Sequence, residues 1–173
     1  MYPFQFKVQL LYKISSGKLI CEQTYINNSD RPMPYYAGFH PYFLTPPPDQ
    51  GKEQVMLHFN PKRFLRYNEQ LTDLIGEKPG FEVPISVADP SVSEQIAEVT
   101  ENTAQLSYPD GFNLKIAASN MFPYLQFYSN KDQPYICLEP WMAVPNALNS
   151  CIGARILAPG TSETAVLELT SNF

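Results

Sequence analysis

Two residues of this 173-residue chain, His40 and Glu139, stand in settings that ask for chemistry. His40 lies in YAGFHPYFLTPPP, residues 36–48, among aromatic and proline neighbours, in a chain that holds two histidines. An imidazole removed from water is costly unless its two ring nitrogens find partners. Glu139 lies in YICLEPWMAVPNALN, residues 135–149. There Tyr135, Cys137 and Glu139 share one face of an apolar strand and Ile136 and Leu138 the other, so the carboxylate leaves a largely buried element. A carboxylate and an imidazole held in a cleft are the groups of general acid–base catalysis, and burial can tune both. Each also has a plainer account: a strand-end glutamate that reaches solvent or an arginine, and a histidine that is merely satisfied within the fold. The second histidine, His58, opposes Val55, Leu57 and Phe59 in EQVMLHF and reads as solvent-facing.

Other chemistries find less support. The histidines show neither HxH nor HxxxH spacing, and the candidate acid lies about a hundred positions from His40, so no metal ligand set is expected. Cys21, Cys137 and Cys151 are odd in number and lack a CxxC pair, which predicts reduced, buried thiols. GxSxG, Walker and dinucleotide-binding motifs are missing, and no cofactor is expected. The net charge of −5 and the scattered basic residues argue against nucleic acid. No run approaches the ~20 apolar residues of a membrane span, and MYPFQFKVQLLYK does not read as a signal peptide. The expectation is a cytoplasmic protein without membrane contact.

The elements that must hold these residues read as strands. Phe4, Phe6, Val8, Leu10 and Tyr12 alternate with polar residues, the period of a half-buried strand, and ISSGKL turns the chain into a second strand over 19–26. Further strands are expected at 53–59, 104–107, 112–117, 124–129, 134–139 and 164–170, with turn residues between them. The 17 prolines suit edges and loops, since proline is excluded from helix interiors and central ladder positions. A helix is expected over 89–99, with Asp89 as cap and Pro90 at the first helical position, and a single turn in PNALNSCIG. With 44% hydrophobic and 17% charged residues, the chain reads as one globular domain over 1–173, all-β, an antiparallel sandwich or barrel.

The segments around the two candidate residues resemble those of a known family. PMPYYAGFHPYF is similar to the segment of aldose 1-epimerases, the galactose mutarotases, that carries a catalytic histidine, and YICLEPWMAVPNALN to the one that carries their catalytic glutamate. YPFQFKVQLLYKIS, at the start of the chain, resembles a strand of the same family, and the similarity spans nearly the whole chain. The resemblance implies an antiparallel β-sandwich of the galactose mutarotase-like type, with the N-terminal part of the family's domain missing. It implies a cofactor-free mutarotase that interconverts the α and β anomers of an aldohexose, with Glu139 taking the proton of the anomeric hydroxyl and His40 donating one to the ring oxygen.

Tyr42 and Trp141 flank the two motifs and are expected to stack on the sugar's C–H face, although core packing would also account for either. Asn146 is expected to hold the glutamate loop through backbone hydrogen bonds. The family's sugar-binding arginine, second histidine and aspartate have no counterpart here; neither Asp89 nor Asp110 stands in a matching segment. Self-association, or a further segment, is therefore expected to complete the sandwich. A phosphorylated aldohexose would need converging cations from Arg31, Arg63, Arg66 or Arg155. Two other classes are consistent with the residues alone: a non-catalytic carbohydrate-binding module on the same fold, and a metal-dependent cupin-like sandwich.

Overall fold

Strand follows strand through nearly the whole of the computed structural model, which describes residues 2–172. In chain order these are β1 (Phe6–Ser15), β2 (Lys18–Asn27), β3 (Met33–Tyr35), β4 (Tyr42–Leu44), β5 (Met56–Tyr67), β6 (Leu74–Lys78), β7 (Ile85–Ser86), β8 (Gln95–Ser107), β9 (Asn113–Ala118), β10 (Tyr124–Tyr128), β11 (Tyr135–Trp141), β12 (Arg155–Leu157) and β13 (Ser162–Ser171). One turn of helix, α1 (Ala147–Ser150), forms within PNALNSCIG, where a turn was expected. No helix is long and apolar enough to cross a membrane.

Eleven strands form one antiparallel sheet along the path β1-β2-β13-β9-β8-β10-β11-β4, with β5 set against β8 and carrying β6 and β7; β3 and β12 pair separately. The sheet curls. Cys21 of β2 and Phe43 of β4 stand near opposite ends of that path, yet they share one core with Leu57, Phe127, Ile136, Leu138, Ile116 and Leu167. Each large apolar side chain so buried is worth about 1.5–3 kcal/mol, and the alternation read in β5, β9, β10, β11 and β13 supplies them to the inner face. Pro61 falls where the β5–β8 register slips, a position at which its missing N–H costs no ladder bond.

Four expectations need correction. Residues 89–99 do not form a helix: Asp89 accepts from the Ser91 N–H and caps only a 3-10 turn over Pro90–Val92, after which the chain enters β8. Cap and proline signals are local, whereas Ile96, Ala97 and Val99 gain full burial by joining the sheet, and packing overrides the cap. The strand expected at 53–59 begins at Met56 and runs to Tyr67. Cys21 and Cys137 are buried, but Cys151 is exposed, on a left-handed turn at the end of α1. Finally, β1 is paired with β2 through the expected hairpin at Gly17 (φ +65°), but it is exposed along its whole length rather than half-buried. Phe6, Val8, Leu10, Tyr12 and Ile14 lie on the side of Tyr25, Cys21 and Leu19, so they extend the core face with apolar side chains that the described residues leave exposed.

Candidate active site

Strand β11 sits between β10 and β4, and its pleat sends Ile136 and Leu138 into the core while Cys137 and Glu139 face the other way. The His40 segment runs antiparallel beside it. Tyr42 is opposite Cys137, and Gly38 bridges Trp141, so the same register sets His40 opposite Glu139. Two backbone bonds lock the approach: Phe39 N–H donates to the Pro140 carbonyl (3.0 Å), and Met142 N–H donates to the Ala37 carbonyl (2.9 Å). Pro41 has no N–H to continue the ladder, which leaves the stretch at His40 open between its two paired ends.

The result is a direct meeting of the two candidate residues. His40 Nε2 lies 3.5 Å from Glu139 Oε1; the imidazole side chain is 56% exposed and the carboxylate 3%. His40 stacks on Tyr42, ring centroids 5.0 Å apart and nearly parallel. The Trp141 indole N–H donates to Glu139 Oε2 (3.2 Å), so each carboxylate oxygen has its own partner. Burial pushes the Glu139 carboxyl above its usual range, and the charge of His40 and the Trp141 hydrogen bond pull the other way without cancelling it. A carboxylate raised in this manner is a better base than one in water.

Tyr42 and Trp141 are both at the pair, on the same face. Trp141 is also one wall of an adjoining cavity of about 370 Å³, lined with Tyr36, Leu71, Pro145 and Asn146. Gly38 lets the indole lie close: a Cβ there would stand 2.7 Å from Trp141 Cδ1 and 2.9 Å from the Pro140 oxygen. Asn146 also lines this cavity, and its bonding differs from expectation. Its side-chain amide donates to Asp73 Oδ1 (2.6 Å), not to backbone, and its oxygen accepts from Asn149. Its backbone is left-handed (φ +60°), a conformation asparagine tolerates better than most residues.

Three participants were not visible in the sequence. Gln126 of β10 is directly opposite Glu139 and accepts from the Tyr67 hydroxyl (2.7 Å). Burial, and the nearby charges of Glu139 and Glu94, raise the Tyr67 phenol so that it remains a donor. Asp73, in the turn before β6, fixes Asn146. None stands in a motif, and only their neighbours in space mark them. His58 borders a separate cavity of about 330 Å³ with Asn60, Gln105 and Lys115, which shares no residue with the His40–Glu139 site.

Comparison with known proteins shows the family and the fold. The family model for aldose 1-epimerase matches residues 1–170, and the chain belongs to that family. Protein LacX of Lactococcus lactis, in its chromosomal form, is 25% identical over 186 aligned positions that take in 99% of this chain and 60% of LacX. The chain thus spans about three fifths of the length of the curated relatives it matches. Among solved structures, the Slr1438 protein of Synechocystis superposes with a TM-score of 0.83 at 24% identity, over 99% of this chain and 56% of that one. A galactose mutarotase-like protein of Clostridium acetobutylicum gives a TM-score of 0.83 at 19% identity, over 99% and 57%. The fold is galactose mutarotase-like, and the chain is shorter than these relatives.

Proposed function

We propose that this chain carries the acid–base pair of an aldose 1-epimerase that interconverts the α and β anomers of a free aldohexose. The observation that carries this reading is the 3.5 Å approach of His40 Nε2 to Glu139 Oε1, one group open to solvent and its partner enclosed. Glu139 takes the proton of the anomeric hydroxyl while protonated His40 gives one to the ring oxygen. The C1–O5 bond breaks, the aldehyde carbon turns about C1–C2, and reclosure from the other face returns both protons. No electrons are exchanged, and the reaction needs no co-reactant. Each positioned proton transfer contributes roughly 10²–10⁴-fold.

Tyr42 and Trp141 supply flat faces for the C–H side of a pyranose, and the cavity beyond Trp141 gives room for its hydroxyls, with Asn146 at the rim. A free sugar is favoured over its phosphate because three of the four candidate arginines are engaged elsewhere. Arg63 is paired with Glu77 and Glu98, and Arg155 with Glu163. Arg31 lies over Phe4 and donates to the Pro3 carbonyl, and Arg66 is exposed on β5.

Polarimetry of α-glucose and α-galactose tests the proposal. The folded protein is expected to hasten equilibration, and Glu139→Gln to remove nearly all of that acceleration. Near-normal rates in the variant would end the acid–base reading. Sugar binding without faster equilibration in the parent protein would favour the non-catalytic carbohydrate-binding module.

A further inference from the structure

We infer that His40, Cys137 and Glu139 together form a site for a soft divalent cation of the zinc and cadmium class, and that its occupation shuts off the acid–base pair. One ligand atom from each residue, an imidazole nitrogen, the thiol sulfur and a carboxylate oxygen, lies within 4.8 Å of the others. Tetrahedral zinc, with bonds of about 2.0–2.3 Å, sets its ligand atoms roughly 3.3–3.6 Å apart. The imidazole and carboxylate already stand at 3.5 Å, so the remaining adjustment is a closure of no more than about 1.5 Å at the sulfur.

The site is built from the same register that makes the acid–base pair. Cys137 and Glu139 are two positions apart on one face of β11, and the opposing segment brings His40 across from Glu139. Cys137 is fully buried as a thiol, and a bound cation displaces its proton, as at any thiolate site. His40 is the exposed member, so the cation enters from its side. On binding, the thiol releases its proton and so does the imidazole if it is charged; two metal–ligand bonds replace those N–H and S–H bonds, and the carboxylate supplies the third. The donor set of one sulfur, one nitrogen and one oxygen selects zinc or cadmium over magnesium or calcium, which prefer oxygen alone.

Inhibition follows because both groups proposed to move protons become ligands; this consequence rests on the proposed function, whereas binding does not. The binding test uses chelator-stripped protein carrying Cys151→Ser, which removes the exposed thiol. Cd²⁺ is titrated while sulfur-to-metal charge-transfer absorbance is followed, and Zn²⁺ is measured by equilibrium dialysis. One equivalent is expected to bind with the thiolate signal, excess Mg²⁺ is expected not to displace it, and Cys137→Ser and His40→Ala are each expected to weaken binding at least tenfold. Absence of saturable binding, an unchanged affinity in both variants, or displacement by equimolar Mg²⁺ would overturn the site. If binding holds in a protein that accelerates mutarotation, Zn²⁺ at saturation is expected to abolish the acceleration. Undiminished activity in the metal-saturated protein would overturn the inhibitory role.

Discussion

His40 and Glu139 stand opposite one another in a single antiparallel register, their nearest atoms 3.5 Å apart, although 98 positions of chain separate them. The pair joins a carboxylate almost wholly withdrawn from water to an imidazole more than half exposed. Under the proposed acid–base reading, proton acceptance falls inside the sheet face and proton donation at its rim.

The enclosed carboxylate should cost stability. Its ionisation is disfavoured in the fold, so between the ordinary value of 4.5 and the raised one the native protein holds a proton that the unfolded chain releases. Stability then falls as pH rises through that window, and the full cost is present above it. Glu139→Gln is expected to melt higher than the parent at about pH 8, with the gap closing toward about pH 4. Thermal denaturation across pH checks this; a variant that melts lower at every pH would contradict it.

The same shift should appear in catalysis. The acid limb of kcat/KM for mutarotation is expected to have its midpoint above 4.5, because that limb reports the base in the free enzyme. Trp141→Phe keeps an aromatic wall but removes the N–H that favours the charged carboxylate, and so is expected to move the limb to higher pH. A limb that stays in place would show that the indole does not act on Glu139.

Gly38→Ala places a methyl group 2.7 Å from the Trp141 ring and 2.9 Å from a backbone oxygen. The oxygen cannot rotate away, so the His40 segment must shift. A loss of about 1–3 kcal/mol in stability is expected, with at least a tenfold drop in mutarotation from misplacement of His40. Denaturant unfolding and polarimetry on the same preparation measure both.

Lys52 has no exposed surface and its ammonium donates to the carbonyls of Asn130 (2.6 Å), Gln133 (2.7 Å) and Tyr135 (3.1 Å), tying the loop before β11 and its first residue to the 3-10 turn over Lys52–Gln54 that precedes β5. Lys52→Met keeps the stem but strands three acceptors. It is expected to lower unfolding free energy by about 2–4 kcal/mol, read by urea titration. A change under about 0.5 kcal/mol would mean that water replaces the ammonium without penalty.

Expressed as it stands, the chain is expected to self-associate through β1, whose outer edge is unpaired by any described strand and whose inner face shows Phe6, Val8, Leu10, Tyr12 and Ile14. Light scattering should give a mass above the 19.6 kDa of one chain, and Val8→Lys with Leu10→Lys should lower it. A monodisperse single chain before any substitution would dismiss the idea.

How much of this could be read beforehand differs from residue to residue. The alternation around Glu139 and the turn at Gly17 are local properties, and both segments folded as their patterns indicate. The cap at Asp89 was equally local, yet it yielded to the burial of Ile96, Ala97 and Val99 in β8. Tyr67, Gln126 and Asp73 carry no pattern at all, because their roles come from partners that the chain reaches only after folding.

By itself, the sequence determined which side chains share a face: Cys137 with Glu139, His40 with Tyr42, each by the two-residue period of an extended chain. It could not determine which strands would meet, nor in what register, since that period is the same for every partner. The tertiary structure decided that Gly38 faces Trp141 and Tyr42 faces Cys137. From that one alignment follow the meeting of His40 with Glu139, the burial that raises the carboxyl, and the nearness of the Cys137 sulfur to both.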